Sequence, residues 1–516
     1  MAPTLRPESS PLAFLDRMLY PCALFRSPMS VSRYIAVDLG AESGRLMLAT
    51  LQAGRLALEE VCRFANGPLR IQSSLRWNTA GLWREIVAGL RQVAARGVPV
   101  AGVSVDSWGL DYVLMRAGEP QLGLPFCYRD PRTDAPYAEV LGNGDAPEIF
   151  ARTGIQFMPI NTLYQLLADT RRDPAFLGSA ERFLMIGDWF HFLLSGTAAQ
   201  EASNASTTQI YDPVAGQWSW ELIRRFGLPA AIFPEVVPPC TRLGPLLEDV
   251  RNETGLGPVE VIAGCTHDTG AAVAAVPARG ERWAYLSSGT WSLLGVELPK
   301  PLINEAVRQA NFTNEIGCGG TSRFLKNVVG LWILQECRRD WAQQGRHFTY
   351  ETLTRLAAEA DPLRSIIHPD DPRFARPDRM PDKIREFCRE TGQPVPETPG
   401  QVARCVLESL ALLYRQVLEK LEELTGMTVE VLHIVGGGSQ SALLNQFAAN
   451  ATGRKVLAGP VEASAVGNAL LQAMALGHIG SLSELREVVR ASFPMEAFEP
   501  RDPAPWEQAF RRLGAF

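Results

Sequence analysis

The sequence predicts an α/β protein with two large lobes. Its 516 residues are too many for one hydrophobic core, and two lobes are the simplest division of the chain. Two stretches, residues 34–51 and 283–298, each contain an apolar strand, a polar tip with glycine and a second apolar strand. Their recurrence in the two halves of the chain indicates related half-folds that clasp a ligand from opposite sides.

The composition is that of a soluble globular enzyme, with 46% hydrophobic and 21% charged residues. A formal net charge of −6 provides no basic surface for nucleic acid. No apolar run reaches the ~18 residues needed to cross a bilayer. We therefore expect a small-molecule partner, with neither nucleic acid nor membrane involved.

The nine cysteines include no CxxC pair and no metal-like Cys/His spacing. This usage predicts a reducing, cytoplasmic compartment and mostly buried thiols. Cys388 and Cys405 flank a proline-rich loop that can bring them together, although we expect no functional disulfide there.

The first 30 residues are predicted to form a disordered extension. They combine Pro, Ser and Arg with a short, interrupted apolar patch that lacks the layout of a signal peptide. Translation from Met29 instead of Met1 would remove most of this segment. We expect the remaining chain to divide into two halves, residues 31–275 and 276–480, and a C-terminal tail, residues 481–516, that packs on the lobes.

The first hairpin, residues 34–51, has the features of a phosphate-binding loop. Asp38 ends its first strand, where it is placed to hold Mg²⁺ near phosphate oxygens. The glycines and small side chains of residues 40–44 allow backbone N–H groups to approach an anion, and Arg45 adds positive charge. The tip lacks the Gly-Lys-Ser/Thr ending of a P-loop and runs from strand to strand. An ordinary hairpin with an aspartate near its turn is the alternative.

Helices and strands alternate after this hairpin. Apolar spacing predicts a helix at residues 82–95, then a strand at residues 98–105 that ends at Asp106. A glycine turn containing Gly109 follows, and such strand ends are where α/β folds bind ligands. Further patterns predict a strand at residues 112–115 and helical segments at residues 150–169. They also predict a helix at residues 185–194 that stops before Gly196, and a Ser/Thr-rich loop at residues 204–209 suited to capping or turn chemistry.

Asp268 lies at the predicted N-terminus of a small-residue helix, residues 269–276, after a buried strand at residues 259–263. One interpretation is an N-cap or first-turn acid. The other is a catalytic base, because the helix dipole would keep its carboxylate ionised and able to accept a hydroxyl proton.

The second hairpin, residues 283–298, has an uncharged Ser/Gly/Thr tip that ends at Thr290. A helix is then predicted over residues 328–340, opened by Asn327. In that helix Asn327 and Gln335 would lie near one face. A capping asparagine and a surface glutamine are the simpler interpretation of the pair.

A long helix is predicted over residues 401–425, with a capping box at Thr398 and Gln401 and a C-cap at Gly426. Its apolar residues recur at spacings of three and four, which predicts a core-facing stripe.

A glycine loop, residues 436–438, follows a strand predicted at residues 431–435 and precedes a helix. A nicotinamide-binding turn is one interpretation, but Ser441 occupies the sixth position of the fingerprint, where glycine is required. A loop lying flat under an adenine fits as well. An Ala/Gly-rich helix at residues 463–476 is placed to pack close to the loop.

In their order along the chain, these features resemble the FGGY family of carbohydrate kinases. The likeness covers roughly residues 34–475 and is carried by ten segments: VDLGAESGR, VDSWGLDYVL, YRDPRT, TGIQFMPINTLYQL, NASTTQ, THDT, LSSGTWSLLG, FLKNVVGLWILQECR, HIVGGGSQSALLNQ and AGPVEASAVGN. The resemblance implies a two-lobed actin-like ATPase (ribonuclease H-like) fold. Each lobe would be a mixed sheet with flanking helices, and the active site would lie in the cleft between them.

The resemblance also implies roles for single residues. Asp268 would be the proton acceptor, and Asp38 the aspartate associated with Mg²⁺, in contact through water because Mg²⁺ usually keeps several waters. The sugar-contacting positions would be Gly109, His267, Asp268, Thr269 and Asn327. The positions that hold ATP would be Ala41, Glu42, Ser43, Gly44, Arg45, Thr290, Gln335 and Gly437.

The implied activity is Mg²⁺-dependent transfer of phosphate from ATP to a small ketose, and at its narrowest to the C1 hydroxyl of L-rhamnulose, in L-rhamnose catabolism. The protein would be a cytoplasmic monomer or homodimer. Two alternatives stay open at this point. One is a kinase for another deoxy-ketose such as L-fuculose, and the other is a non-catalytic sugar- or nucleotide-binding protein of the same fold.

Overall fold

Two mixed β-sheets, one from each half of the chain, form the framework of the protein. The computed structural model describes residues 31–515. The extension predicted for residues 1–30 lies outside the described residues.

The first half of the chain contains fourteen strands and ten α-helices among the described residues. The strands are β1 (Ser32–Leu39), β2 (Ser43–Gln52), β3 (Arg55–Ala65), β4 (Leu69–Ile71), β5 (Ser74–Arg76), β6 (Gly102–Ser107), β7 (Tyr112–Met115), β8 (Arg182–Met185), β9 (Gln200–Glu201), β10 (Tyr211–Asp212), β11 (Gln217–Trp218), β12 (Val236–Val237), β13 (Thr241–Pro245) and β14 (Glu260–Ala263). The helices are α1 (Thr79–Ala94), α2 (Asp134–Gly142), α3 (Ala146–Thr153), α4 (Thr162–Arg172), α5 (Pro174–Gly178), α6 (Ile186–Ser195), α7 (Ala202–Ala205), α8 (Trp220–Arg225), α9 (Glu248–Thr254) and α10 (Asp268–Ala274).

The second half, as far as residue 515, adds seven strands and nine α-helices. The strands are β15 (Trp283–Ser288), β16 (Trp291–Leu298), β17 (Thr313–Ile316), β18 (Ser322–Val329), β19 (Val431–Val435), β20 (Lys455–Ala458) and β21 (Glu496–Phe498). The helices are α11 (Glu305–Ala310), α12 (Trp332–Gln343), α13 (Tyr350–Glu359), α14 (Met380–Glu390), α15 (Pro399–Thr425), α16 (Ala442–Thr452), α17 (Ala463–Ala475), α18 (Leu482–Ser492) and α19 (Pro503–Leu513).

The two main sheets share one topology. The first has the strand order β3-β2-β1-β6-β14-β13, and the second has the order β17-β18-β16-β15-β19-β20-β21. In each sheet a hairpin strand, β1 or β15, pairs antiparallel with its partner on one side and parallel with β6 or β19 on the other. The predicted two-lobed α/β architecture with related halves is therefore confirmed.

Helix α10, which begins at Asp268, packs against both sheets. Its Ala271 belongs to the apolar cluster that includes Tyr34 of β1, whereas Val273 packs with Tyr285 of β15. Helix α17 approaches α10 so closely that a Cβ on Gly467 would lie 1.8 Å from the carbonyl oxygen of Ala271, which only glycine avoids. The start of α10 is thus held in place from both lobes.

The C-terminal segment also joins the second lobe. Strand β21 pairs with β20 at the sheet edge, and Trp506 of α19 packs against Phe447 of α16, with ring centroids 5.4 Å apart. The domain boundaries expected at residues 275/276 and 480/481 stay predictions.

The structure corrects the element predicted around Asn327. Residues 322–329 are not the start of a helix but form β18, which lies between β16 and β17 in the sheet. The helix, α12, begins only at Trp332. Because β18 is paired on both sides, ladder hydrogen bonds and β-branched side chains decided the conformation against the local helical spacing.

The Ser/Thr-rich segment at residues 204–209 is not an open loop. It forms the end of α7 and a 3₁₀ turn at Ser206–Thr208. The hydroxyls of Ser206 and Thr207 each donate to the carbonyl three residues earlier. These contacts agree with the predicted turn chemistry and explain why the segment is compact.

The long helix and its caps agree with the prediction. In α15, Thr398 and Gln401 form the capping box, and Gly426 adopts the left-handed conformation, with φ of 69°. Cys388 and Cys405 are buried, free thiols. No helix within residues 31–515 has the length and apolar character needed to cross a membrane.

Candidate active site

A cleft of about 1030 Å³ is lined by residues from both halves of the chain. Both hairpin tips, the turn before α10, strands β17 and β18, and the glycine loop contribute to its walls. This size lies in the range of small-molecule sites.

The first hairpin tip carries a fixed charge pair. Asp38 and Arg45 face each other in the β1–β2 register, and Arg45 Nε donates to Asp38 Oδ2 at 3.0 Å. Arg45 also forms an ion pair with Glu462, which precedes α17. The turn is held by the residue that follows β3, because Asn66 Nδ2 donates to the Gly40 carbonyl at 2.8 Å. The tip therefore presents a guanidinium whose position is set from two sides.

Three carboxylates converge beside this tip. The parallel register of β1 and β6 places Asp106 next to Asp38, and Asp268 begins the helix that packs behind them. Burial, reinforced by the charge of Asp38, raises the pKa of Asp106 well above its usual range. Asn468 Nδ2 donates to Asp106 Oδ2 at 2.6 Å, whereas Oδ1 is buried without a hydrogen-bond partner in the described structure. The cluster concentrates negative charge at the ends of adjacent strands.

Asp268 faces the cleft, with 28% of its side chain exposed. Its Oδ1 accepts hydrogen bonds from the backbone N–H of Thr269 at 2.6 Å and from the Thr269 hydroxyl at 3.2 Å. Desolvation in the cleft raises the pKa of Asp268, with His267 opposing the shift and Asp38 adding to it. An ionised carboxylate with a raised pKa is a stronger acceptor for a hydroxyl proton.

His267 lies where the two lobes meet. Its Nε2 is 3.5 Å from Asp268 Oδ1, and its Nδ1 is 3.2 Å from Arg323 Nη2. Glu315, on the neighbouring strand, lies 3.1 Å from Arg323 Nη1 and 3.3 Å from the same Nδ1. The residue beside Asp268 is therefore contacted by two charged residues of the opposite lobe.

Asn327 reaches the cleft from β18. Its backbone N–H donates to Gln156 Oε1 at 2.9 Å, and Gln156 Nε2 donates back to the Asn327 carbonyl at 3.1 Å. Gly109 lines the same region, where a Cβ would lie 3.2 Å from Thr207 Oγ1. The end of the cleft near His267 is thus walled by polar groups from both lobes.

The second hairpin tip is uncharged and packs on the glycine loop. A Cβ on Gly438 would lie 2.0 Å from Ser288 Oγ, so glycine is required there. A Cβ on Gly437 would meet no atom within 4 Å, because this residue faces the open cleft. The Thr290 carbonyl accepts a hydrogen bond from the backbone N–H of Trp332, at the start of α12. On the same helix, Gln335 Oε1 is buried without a hydrogen-bond partner in the described structure.

The sequence models of two protein-family domains match this chain. The FGGY family of carbohydrate kinases, N-terminal domain, matches residues 33–275, and the C-terminal domain of the same family matches residues 284–476. The chain belongs to the FGGY family of carbohydrate kinases.

Named relatives in this family match nearly the whole chain. A rhamnulokinase from Bacteroides thetaiotaomicron is 43% identical over 477 residues, which cover 92% of this chain and 98% of the relative. A rhamnulokinase from Bacillus subtilis is 37% identical over 469 residues, covering 91% of this chain and 96% of the relative.

Solved structures show the same fold at low sequence identity. Gluconate kinase from Lactobacillus acidophilus is 15% identical, with a TM-score of 0.78 over 94% of this chain and 97% of that chain. Plasmodium falciparum glycerol kinase with ADP is 14% identical, with a TM-score of 0.76 over 94% of this chain and 97% of that chain. The predicted actin-like ATPase fold of an FGGY kinase is confirmed.

The cleft of this FGGY kinase brings together nearly all the residues named from the sequence. Those lining it are Asp38, Ala41, Glu42, Ser43, Arg45, Gly109, His267, Asp268, Thr269, Thr290, Asn327, Gln335 and Gly437. Gly44 is not among the lining residues, and a Cβ there would strike the Phe64 ring at 2.2 Å. We infer that packing on β3 explains this glycine. The roles assigned to the lining residues stay predictions.

Glu42 has a partner that was not foreseen. Its carboxylate lies 2.6 Å from Arg339 Nη2 on α12, so the ion pair spans the two lobes at the mouth of the cleft. Arg129 of the first half also crosses to the second, with its guanidinium carbon 4.0 Å from the Trp332 ring centroid. These contacts hold the lobes together on the side of the hairpin tips.

Glu315, Arg323 and Gln156 contact the predicted sugar-binding residues but were missed in the sequence. A partial signal was available for the first two, because each is a charged residue in a short segment, residues 313–316 or 322–329, that also contains apolar residues. A buried charge needs a partner, so such residues point to a specific contact. Gln156 lies between helices in an irregular segment and had no comparable signal.

Proposed function

We propose that this FGGY kinase transfers the γ-phosphate of ATP to the C1 hydroxyl of L-rhamnulose, forming L-rhamnulose 1-phosphate and ADP. One observation carries the proposal: Asp268 lies in a single cleft between the polar wall near His267 and the two hairpin tips. The narrower choice of sugar is supported by the relatives named rhamnulokinase, which match over nine-tenths of the chain.

Asp268 acts as the general base in this proposal. Thr269 orients its carboxylate through two hydrogen bonds, and desolvation raises its pKa above the ordinary value for aspartate. Both features suit a group that takes the proton from the attacking C1 hydroxyl. His267, Thr269, Gly109 and Asn327 would hold the sugar so that this hydroxyl lies next to Asp268.

The two hairpin tips hold the phosphates of ATP. Arg45 supplies positive charge, and the backbone N–H groups of residues 41–43 and the hydroxyl of Thr290 supply hydrogen-bond donors. Gln335 and Gly437 lie farther along the cleft, where the flat, open surface at Gly437 suits the nucleoside. Phosphoryl transfer depends on this positioning and charge neutralisation more than on covalent chemistry.

The acidic residues beside the first hairpin fit a Mg²⁺ ion that arrives with ATP. Carboxylate oxygens are suitable ligands, and the unpartnered Asp106 Oδ1 lies next to Asp38. Within residues 31–515 no three acidic, histidine or cysteine side chains form a metal-binding group. The protein would therefore supply one or two contacts, some through water, while phosphate oxygens supply others. When bound, the ion neutralises charge on the phosphates.

The contacts between lobes suit a reaction that must exclude water. The Glu42–Arg339 pair and the stack of Arg129 on Trp332 close the side of the cleft at the hairpin tips. Closing this side limits wasteful hydrolysis of ATP. We place the reaction in the cytoplasm, which is supported by the free cysteines among the described residues.

A sugar panel tests the proposal. ADP release would be measured with L-rhamnulose, L-fuculose, D-xylulose and glycerol, each with and without Mg²⁺. We expect the highest kcat/KM with L-rhamnulose and loss of turnover without Mg²⁺, with ³¹P NMR locating the phosphate at C1. A higher kcat/KM with L-fuculose would make L-fuculose the substrate in place of L-rhamnulose. If none of the sugars on the panel caused ADP release, the proposed kinase activity would be overturned.

A further inference from the structure

Glu315 and Arg323 form a buried charge pair that reaches His267 from the opposite lobe. The two residues are direct neighbours in the antiparallel register of β17 and β18. The Arg323 side chain is fully buried and that of Glu315 is 5% exposed. Although burial opposes it, the charge of Arg323 lowers the pKa of Glu315. Both side chains are therefore charged, and each neutralises the other.

The guanidinium of Arg323 has a fixed orientation. Its Nε donates to the Ile316 carbonyl at 3.1 Å, and its Nη1 lies 3.1 Å from Glu315 Oε2. Nη2 is then left 3.2 Å from His267 Nδ1. Because arginine carries only donors, His267 Nδ1 accepts with its lone pair in this hydrogen bond. Glu315 Oε2 also lies 3.3 Å from Nδ1, but this oxygen makes no hydrogen bond in the described structure.

This contact favours one of the two tautomers of the His267 ring. If Nδ1 accepts from Arg323, the hydrogen is on Nε2, which lies 3.5 Å from Asp268 Oδ1. The Nε2–H group can then donate to the Asp268 carboxylate or to an oxygen of the bound sugar. The opposite tautomer would point a lone pair at the carboxylate and would not hold it.

We propose that Arg323, held in place by Glu315, is a positioning residue that sets the tautomer and orientation of His267 and thereby aligns Asp268. The inference deepens the proposed kinase function and rests on it. His267 and Asp268 belong to the first lobe, whereas Glu315 and Arg323 belong to the second. Alignment of the base therefore depends on the relative position of the lobes.

The main test replaces the pair without leaving a buried charge. The variant Arg323→Met with Glu315→Gln keeps the side-chain volumes similar and removes the charged donor. We expect kcat to fall about 10- to 100-fold, the scale known for residues that orient the ligands of a catalytic metal ion. KM for ATP should stay within about twofold of the wild-type value. A kcat within about twofold of wild type would overturn the proposal.

A matched control separates this effect from simple loss of stability. Arg454 and Glu422 form another ion pair of the second lobe, 3.2 Å apart, and neither lines the cleft. Arg454→Met with Glu422→Gln is expected to lower the melting temperature without changing kcat of the folded enzyme. An equal fall of kcat in both double variants would show that the Glu315–Arg323 pair is merely structural.

A coupling measurement tests whether the pair acts through His267. In a His267→Gln background, the Arg323→Met and Glu315→Gln changes should cause little additional loss of kcat, because the group they orient is absent. The same fold-loss in both backgrounds would contradict the proposal, since the pair would then act by another route.

The tautomer itself can be observed without turnover. In ¹⁵N-histidine NMR of the wild-type enzyme, the His267 signals can be assigned among six histidines by their loss in His267→Gln. We expect a protonated Nε2 and an unprotonated Nδ1, whereas a protonated Nδ1 in the neutral ring would overturn the proposal. This measurement decides the inference even if the sugar panel shows no kinase activity, so the two failures are distinguishable.

Discussion

The two hairpins have the same place in their sheets but different chemistry at their tips. The first, β1–β2, carries Asp38 and Arg45 in direct register, and its turn is held by hydrogen bonds from Asn66. The second, β15–β16, has an uncharged tip that packs against the glycine loop, with Ser288 filling the space beside Gly438. One topology thus supports a tip that works through charge and a tip that works through close backbone approach.

The difference indicates a division of labour within the cleft. Interactions of charged groups are stronger than those of neutral groups, so the first tip should contribute more to holding phosphate. The second tip requires small residues, so substitutions there should act mainly by disturbing its packing against the glycine loop. Each prediction below tests one side of this comparison.

The largest effect is expected at the base beside the charged tip. Asp268→Asn keeps the side-chain shape but removes the proton acceptor, so turnover should fall by ~10² or more, while sugar and nucleotide binding change little. A coupled ADP assay and calorimetric titration would measure the two quantities. Asp249→Asn, at the exposed start of α9, is the matched control and should keep full turnover. Near wild-type turnover in Asp268→Asn would remove that residue from its role.

Arg45→Gln tests the charge of the first tip. Loss of the guanidinium should lower kcat/KM for ATP about 10- to 100-fold, the range expected for a hydrogen bond to a charged group. Arg63→Gln is a close control, because Arg63 lies opposite Arg45 in the β2–β3 register but is 43% exposed and pairs with Glu60. Equal losses of kcat/KM in the two variants would mean that any loss of a positive charge in this region has the same effect, and that Arg45 has no specific role.

The fall of kcat on the acidic side of its pH profile should follow the protonation of Asp268. Because desolvation raises its pKa, the base loses its ionised form as pH falls through a value above the ordinary ~4 for aspartate. Below that value kcat should fall about tenfold per pH unit. The profile would be measured with saturating sugar and Mg-ATP. An acidic limb that persists unchanged in the residual activity of Asp268→Asn would assign the titration to another group.

A smaller effect is expected at the uncharged tip. Thr290→Val removes one neutral hydroxyl, so kcat/KM for ATP should fall about fivefold, the scale of one neutral hydrogen bond. Thr425→Val, at the end of α15 and outside the cleft, serves as the control. A loss at Thr290 larger than that at Arg45 would reverse the proposed division of labour.

The glycine loop provides the test of packing. Gly438→Ala places a methyl group against Ser288 and should destabilise folding by about 1–3 kcal/mol, the usual cost of overpacking. Gly437→Ala meets no neighbouring atom, so its melting temperature should stay near wild type. Adding Ser288→Gly to Gly438→Ala should restore part of the stability. If both alanine variants melt alike, the close approach at Gly438 does not matter.

Local signals in the sequence were sufficient for much of the fold. The two hairpins, the capped helix α15, the strand β19 and the start of α10 follow from periodicity, turn residues and caps, which act over a few positions. The predicted start of the helix at residues 328–340 was wrong for the opposite reason, although α12 does form from Trp332 onward. The first residues of the predicted helix belong to β18, whose conformation depends on strands on both sides of it.

The sequence by itself determined the order of the elements, the two related halves and the residue types available at the hairpin tips. Only the tertiary structure decided which of these residues meet. The Arg323–His267 and Glu42–Arg339 contacts join residues far apart in the chain, so no local pattern could show them. They exist because two sheets of the same topology close on one cleft. The buried charge of Arg323 needs partners there, whereas the exposed Glu42 and Arg339 meet at the mouth of the cleft.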